Sequence, residues 1–314
     1  MTEVAERSRV RADAPGEPRQ VRVRAPGEPR RVAYLYLAPA FLFYLLFAFG
    51  PLVYTTWLSF FDWDGLTVGT WVGLDNYDEV LSDPDIRASF VHAFELILFY
   101  AVVPCILGLL LASLIAHSRV RGVTFFRAVL FLPQTIATVV VAIAWVWIYA
   151  PDGPLNAALD AVGLSSISRG WLGDFTWALP ALGLVGTWVM FGLCLVLFLA
   201  GIQKIPITLY EAARVDGAGR LREFFAVTLP GLRGELAVAL TLTTIMALRT
   251  FDLIYVSTQG GPGTSTTVPS YLVYQNAFAN GRVGLAAAVA VALTVLIFAV
   301  AFGITKVVDR DPSA

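Results

Sequence analysis

Side chains that carry chemistry are scarce in this chain. Among 314 residues there are 2 histidines and 2 cysteines, and Lys204 and Lys306 are its lysines. A phosphate-binding loop of the Gly-x-x-x-x-Gly-Lys-Ser/Thr type needs a lysine followed by a hydroxyl residue. Lys204 is followed by Ile205 and Lys306 by Val307, so the chain holds no such nucleotide site. His92 and His117 flank one apolar segment at opposite ends. That separation excludes a metal pair and leaves no Ser–His–Asp set to argue. Catalysis of the usual kinds is therefore not expected, nor is a metal or cofactor held by this chain. Cys105 and Cys194 both fall inside apolar stretches, which predicts free buried thiols rather than a structural disulfide.

Charge is short as well. Charged residues make up 14% of the chain and hydrophobic ones 57%, whereas a soluble globule carries about 25% charged residues. The composition is that of a multi-span membrane protein. A net charge of -1 gives no ground for a nucleic-acid partner, and none is expected.

What is abundant is long apolar sequence. A span needs about 20 apolar residues, at about 1.5 Å each, to cross some 30 Å of hydrocarbon. Six stretches qualify: about 33–60, 91–117, 128–149, 177–202, 234–257 and 284–306. Gly50–Pro51 predicts a kink in the first and Pro104 one in the second, tolerable where neighbouring helices re-satisfy the backbone. Alanines 286, 287, 288, 290 and 292 suit the sixth to close helix packing. Residues 1–32, with APGEPR at 14–19 and again at 25–30, have few large apolar side chains and read as a disordered tail. The run behind it lacks a clear cleavage site, so it is expected to be kept as the first span.

The bases orient the spans. With the N-terminus inside, the inner segments hold eighteen Lys and Arg and the outer loops three: Arg87, Arg169 and Arg282. By the positive-inside rule the reading is N-in, C-in, with six spans. The outer loops are acidic and aromatic. Residues 61–90 include Asp62, Asp64, Asp75 and Glu79 with Trp63, Trp71 and Tyr77, aromatics of the interfacial-belt kind. PDGPLN and WLGD, within 150–175, are turn chemistry before a return to the membrane.

Ionisable residues inside spans cost roughly 2.5–3.5 kcal/mol each to insert. The candidates are Glu95 in the second span, and Arg249 with Asp252 in the fifth. Arg249 and Asp252, three apart, can pair on one helix face. They serve either as an ion pair holding helices in register or as a polar patch lining a pathway, with Tyr255 a turn further on. Trp145, Trp147, Trp188 and Tyr149 offer aromatic faces that suit sugar rings, or pack against lipid and core. A phosphorylated solute would want a cluster of cationic donors along its path, and only Arg249 lies within a span, which favours a neutral one.

Between the fourth and fifth spans, residues 205–230 read IPITLYEAARVDGAGRLREFFAVTLP, a polar, charged passage between two apolar segments. Pro206 suits a helix start, TLYEAARV holds good helix formers, and Gly217 with Gly219 supplies the turn before a second helical run, RLREFFAV. The result is helix, glycine turn, helix at a membrane face.

EAARVDGAG, followed by Leu229 and Pro230 within VTLP, resembles the EAA loop of ABC importer permeases; Glu211, Ala212, Ala213, Asp216, Gly217, Ala218, Leu229 and Pro230 carry the match. TQGGPGTSTTVPSYLVYQNAF (258–278), FDLIYV, WLGD and LFLAGIQKIP are similar to segments of the carbohydrate-uptake branch. The resemblance implies an all-α membrane protein with the six-helix type I ABC importer permease fold, N-in and C-in. It assigns 33–306 to that domain, 205–230 to its cytoplasmic coupling loop, and leaves 1–32 and 307–314 as cytoplasmic tails. It further implies a multi-pass protein of the bacterial plasma membrane, paired with a second homologous permease. Two ATP-binding subunits, which use the ATP and Mg themselves, would grip a coupling helix at about 207–215. An extracytoplasmic lipoprotein would deliver a sugar to the outer loops. Trp188, Arg249, Asp252 and Tyr255 are then the pathway candidates. A self-sufficient secondary transporter is the alternative; that class shows two repeated halves with interrupted helices, and no internal repeat is visible here.

Overall fold

The computed structural model describes residues 30–116 and 122–308. Most of the predicted N-terminal tail, residues 309–314 of the C-terminal one, and His117, Arg119 and Arg121 lie outside the described residues. By contact the chain divides into residues 1–52 and 53–314.

The elements follow the apolar runs closely. A first helix, α1 (Tyr36–Leu58), is followed by a two-stranded antiparallel hairpin, β1 (Phe61–Asp62) and β2 (Thr70–Trp71). Then come α2 (Asp75–Ser82), α3 (Pro84–Ala116), α4 (Val123–Thr135), α5 (Thr138–Ile148), α6 (Pro154–Ala161) and α7 (Ala178–Ile202). The last part holds α8 (Ile207–Val215), α9 (Arg220–Gly231), α10 (Arg233–Leu248), α11 (Asp252–Ser257), α12 (Pro269–Tyr274) and α13 (Val283–Val307). Of these, α1, α3, α7 and α13 are each long and apolar enough to cross a membrane. The count rises to six if the bent pairs α4–α5 and α9–α10 each make one crossing.

Prolines shape the helices in a repeated way. A proline ring clashes with the carbonyl four residues back and offers no N–H to it. Before Pro51, Pro104 and Pro230 the helix opens into one wide turn, over Leu45–Phe49, Leu98–Val102 and Phe224–Thr228. Each wide turn contains the carbonyl that the proline would strike, and such single-turn bulges are the usual form this relief takes. In this way α3 carries Pro104 and stays one 33-residue helix.

Two of the expected straight spans are different in the structure. The stretch at 128–149 is two helices bent by 97°. Pro133 removes a backbone donor near the end of α4, and Ile136 and Ala137 are extended there. The stretch at 234–257 stops as a helix at Leu248, and a separate helix, α11, begins at Asp252. At that break the Thr250 hydroxyl bonds back to the Met246 carbonyl, 3.0 Å away.

Close packing is concentrated on α7, where glycines admit neighbouring helices. A Cβ on Gly186 would sit 2.0 Å from the Tyr100 ring of α3, and one on Gly192 would sit 2.1 Å from the Leu130 carbonyl of α4. Cys105 and Cys194 are free and buried, as expected, with their sulfurs 3.7 Å apart across the α3–α7 contact. On α13, Ala286, Ala287 and Ala288 are buried, in line with the alanine pattern.

The connecting loops are tied by side chains. Asn156 donates to the Arg169 carbonyl (2.8 Å) and accepts from the Trp171 indole (2.9 Å), joining PDGPLN to WLGD. Asp174 accepts from the Thr176 and Trp177 N–H groups at the entry to α7. Asp64 accepts from the N–H groups of Leu66 and Thr67 between the hairpin strands.

Candidate functional site: a helical elbow and a cavity among the helices

The elbow is built from α8, a glycine turn and α9. Pro206, with extended ψ, precedes α8 and delivers the chain into its first turn. At the other end Gly217 has φ +80, a left-handed conformation that side chains with a Cβ adopt at a cost. Its N–H bonds to the Arg214 carbonyl (3.0 Å) and that of Ala218 to the Ala213 carbonyl (2.9 Å). This double bond pattern closes a helix C-terminus and reverses the chain toward α9.

Polar contacts tie the elbow together. Arg214 makes a two-pronged bond to Glu223 of α9, Nε to Oε2 at 3.3 Å and Nη2 to Oε1 at 3.0 Å. The Glu223 carboxylate is buried, and its hydrogen bond and charge push the Arg214 guanidinium further up from its ordinary value. Tyr210, also buried, reaches the Thr228 hydroxyl at 3.2 Å. Lys204 pairs with Glu235 of α10 at 2.9 Å, just outside the elbow. None of these pairings follows from helical periodicity. The one available signal is the opposite charge on the two sides of the VDGAG turn.

The outer surface of α8 faces away from this scaffold. Glu211 and Ala212 are exposed, as are the apolar side chains of Ile207, Leu209 and Val215, the last at 87%. Ala213 and Ala218 are half-buried, and Asp216 is exposed. Leu229 instead packs inward against the buried cluster around Leu199 and Leu232, and Pro230 lies exposed at the elbow's base. The structure therefore places 211–218 on the second half of α8 and the glycine turn that follows it, and puts Leu229 and Pro230 at the end of α9.

A cavity of about 260 Å³ lies where α3, α5, α7 and the α10–α11 break meet. Its polar lining comes from Tyr100, Thr138, Arg249, Thr250 and Asp252. Arg249 caps the end of α10 and Asp252 opens α11, so the two share a cavity rather than a helix face. No ion pair joins them, and the pairing expected from their spacing is corrected: the helix breaks between them. Arg249 also lines a second, largely apolar cavity of about 520 Å³ between α10, α12 and α13. Tyr255 stacks on Phe251 at 5.3 Å and meets the Tyr274 hydroxyl at 3.3 Å. Trp188 meets Trp145 edge-on at 5.6 Å. Neither Tyr255 nor Trp188 lines these two cavities. Glu95 is exposed on α3 and lines neither.

Residues 105–313 match the family described as binding-protein-dependent transport system inner membrane component. The chain belongs to this family. Among its relatives are the probable ABC transporter permease protein YurN of Bacillus subtilis, 38% identical over 85% of this chain and 92% of that one. The trehalose/maltose transport system permease protein MalF of Thermococcus litoralis is 36% identical over 85% and 90%. The sulfoquinovosyl glycerol transport system permease protein SmoG of Agrobacterium fabrum is 34% identical over 98% of both. Their names are those of transport permeases and not of enzymes. In three dimensions the chain is similar to one from a bacterial ABC transporter involved in import of the acidic polysaccharide alginate, with TM-score 0.77, 23% identity and coverage of 90% and 96%. A second structure of an alginate transporter, in complex with an alginate pentasaccharide-bound periplasmic protein, gives TM-score 0.75 at 23% identity, over 89% and 94%. The fold is that of the type I ABC importer permeases.

Set against that fold, the permease's exposed elbow and its inter-helix cavity are two separate features. One is an exposed surface on α8, and the other is a partly open space among helices lined by hydroxyls and one charge of each sign.

Proposed function

We propose that this permease is the membrane-spanning half of an ATP-driven, binding-protein-dependent sugar importer of the bacterial plasma membrane. It pairs with a second homologous permease and takes solute from an extracytoplasmic lipoprotein. It crosses the bilayer six times with both termini inside. α8 serves as the coupling helix, seated in a cleft of an ATPase subunit that binds the ATP and Mg. The observation that carries the reading is the strip of exposed side chains on α8, with Glu211 and Ala212 at its centre, on a helix fixed from behind by Arg214–Glu223 and Tyr210. Small alanines let a helix seat closely in a groove, and Glu211 supplies a charge for a basic partner. Movement of the ATPase then shifts the elbow as a rigid piece and rocks the spans between inward- and outward-facing states.

The solute class rests on two supports. The relatives' names include trehalose/maltose and sulfoquinovosyl glycerol transport, which supports a sugar, while its neutral charge rests on the cavity alone. The cavity sets one cation, Arg249, and one anion, Asp252, among hydroxyl groups, a lining suited to a neutral polyhydroxylated molecule. Binding of a sugar phosphate by the cognate lipoprotein would overturn the neutral assignment.

The coupling reading is tested in the assembled complex. Glu211→Lys and Gly217→Pro are expected to insert normally yet lose solute-stimulated ATP hydrolysis and uptake. Normal uptake by both variants removes the coupling role.

A further inference from the structure

Beside the elbow, α3, α4 and α7 end close together and enclose a cleft of about 940 Å³. Its rim carries three cations, Arg127 of α4, Lys204 after α7 and Arg214 of α8, and among the described residues no carboxylate lines it. Two of the cations are held from behind, Lys204 by Glu235 and Arg214 by Glu223. Arg127 is half-buried and has no acidic partner among the described residues. A guanidinium partly withdrawn from water wants an anion with oxygens to accept its fork of donors. The walls below are apolar, from Ile115, Val123, Leu199 and Ile202.

We infer that this cleft binds an anionic phospholipid. Its phosphodiester sits on Arg127 with Lys204 and Arg214 alongside, and its acyl chain lies against the apolar wall. Cationic rim over apolar wall, at the ends of membrane-spanning helices, is the chemistry that distinguishes such a lipid from a soluble anion and from a zwitterionic one. The bound lipid would bridge α4 to α8 and brace the elbow at the membrane edge. This inference does not depend on the coupling role of Glu211.

The test uses the full-length chain in a neutral detergent, with native mass spectrometry after adding phosphatidylglycerol or phosphatidylcholine. Phosphatidylglycerol adducts are expected to persist where phosphatidylcholine adducts strip away. Arg127→Gln should lower phosphatidylglycerol retention about fivefold, the factor that one basic residue contributes at an anionic surface, while Arg127→Lys keeps most of it. Equal retention of the two lipids by the unaltered chain overturns the inference without any variant. So does displacement of the lipid by glycerol phosphate at equal concentration, which assigns the cleft to a free phosphate. If Arg127→Gln leaves lipid retention intact but weakens ATPase co-purification, the cleft is a protein surface and the inference also fails.

Discussion

Gly217 and Gly219 stand two residues apart and differ in what they tolerate. A Cβ on either meets nothing within 4 Å, but only Gly217 has a positive φ. Gly217→Ala is therefore expected to cost about 1–2 kcal/mol of local stability from conformation alone, while Gly219→Ala changes little. Hydrogen exchange of the α8 amides should rise in the first variant and stay unchanged in the second. Arg214→Ala removes a charge-assisted bond from the buried Glu223 carboxylate and should lower stability, read as a reduced denaturation midpoint. Retained exchange protection across α8 in that variant would show that the Arg214–Glu223 pair does not hold the elbow. A pH test sits at Asp64, whose carboxyl is held below its usual value, first by the Thr67 N–H and then by that of Leu66. A depressed pKa contributes order above the unfolded value and loses it as pH falls through the folded one. The Leu66 and Thr67 amides should stay protected at pH 5 and lose protection only below the ordinary aspartate range. At this scale the sequence makes the EAA residues legible, because glycine, alanine and glutamate have fixed places in a known loop. Arg214–Glu223 was not legible, since a contact nine residues apart across a glycine reversal has no period.

Helix positions were legible as apolar runs, and their interruptions only in part. Prolines 51, 104 and 230 announce a disturbance, yet the sequence does not say whether a helix kinks or absorbs it in a wide turn. The 97° bend between α4 and α5 falls at PQTIA, where Pro133 marks a disturbance but composition gives neither its size nor its direction. The end of α10 was missed because TFDLIYV continues the apolar pattern past the break at Arg249. Packing between elements gives a sharper prediction. Gly192→Val places branched carbon against the Leu130 backbone carbonyl, which cannot move without moving α4. Its thermal transition in detergent should fall by several degrees. Gly303→Ala, where a Cβ meets nothing, should leave the transition unchanged. Equal effects from the two would mean that the α4–α7 approach contributes nothing to stability.

At the scale of the whole molecule, a polar contact joins distant parts of the second unit. Arg282, before α13, grips Glu79 of α2 through two bonds, one of 2.6 Å, and the pair links residues 203 apart. Both side chains are partly exposed, so a double-mutant cycle on the pair should give no more than about 1 kcal/mol. Family membership was legible from motifs spread along the chain, and orientation was argued from the distribution of bases. The cavity that joins Tyr100, Thr138, Arg249 and Asp252 needed coordinates, because its walls come from segments up to about 150 residues apart. The central claim is that the elbow meets a motor inside the cell, and sidedness tests it most directly. Glu211→Cys is labelled with a membrane-impermeant maleimide in right-side-out and inside-out vesicles; Cys105 and Cys194 are buried and add little background. Labelling in inside-out vesicles and protection in right-side-out ones is the predicted result. The reverse pattern would contradict the account.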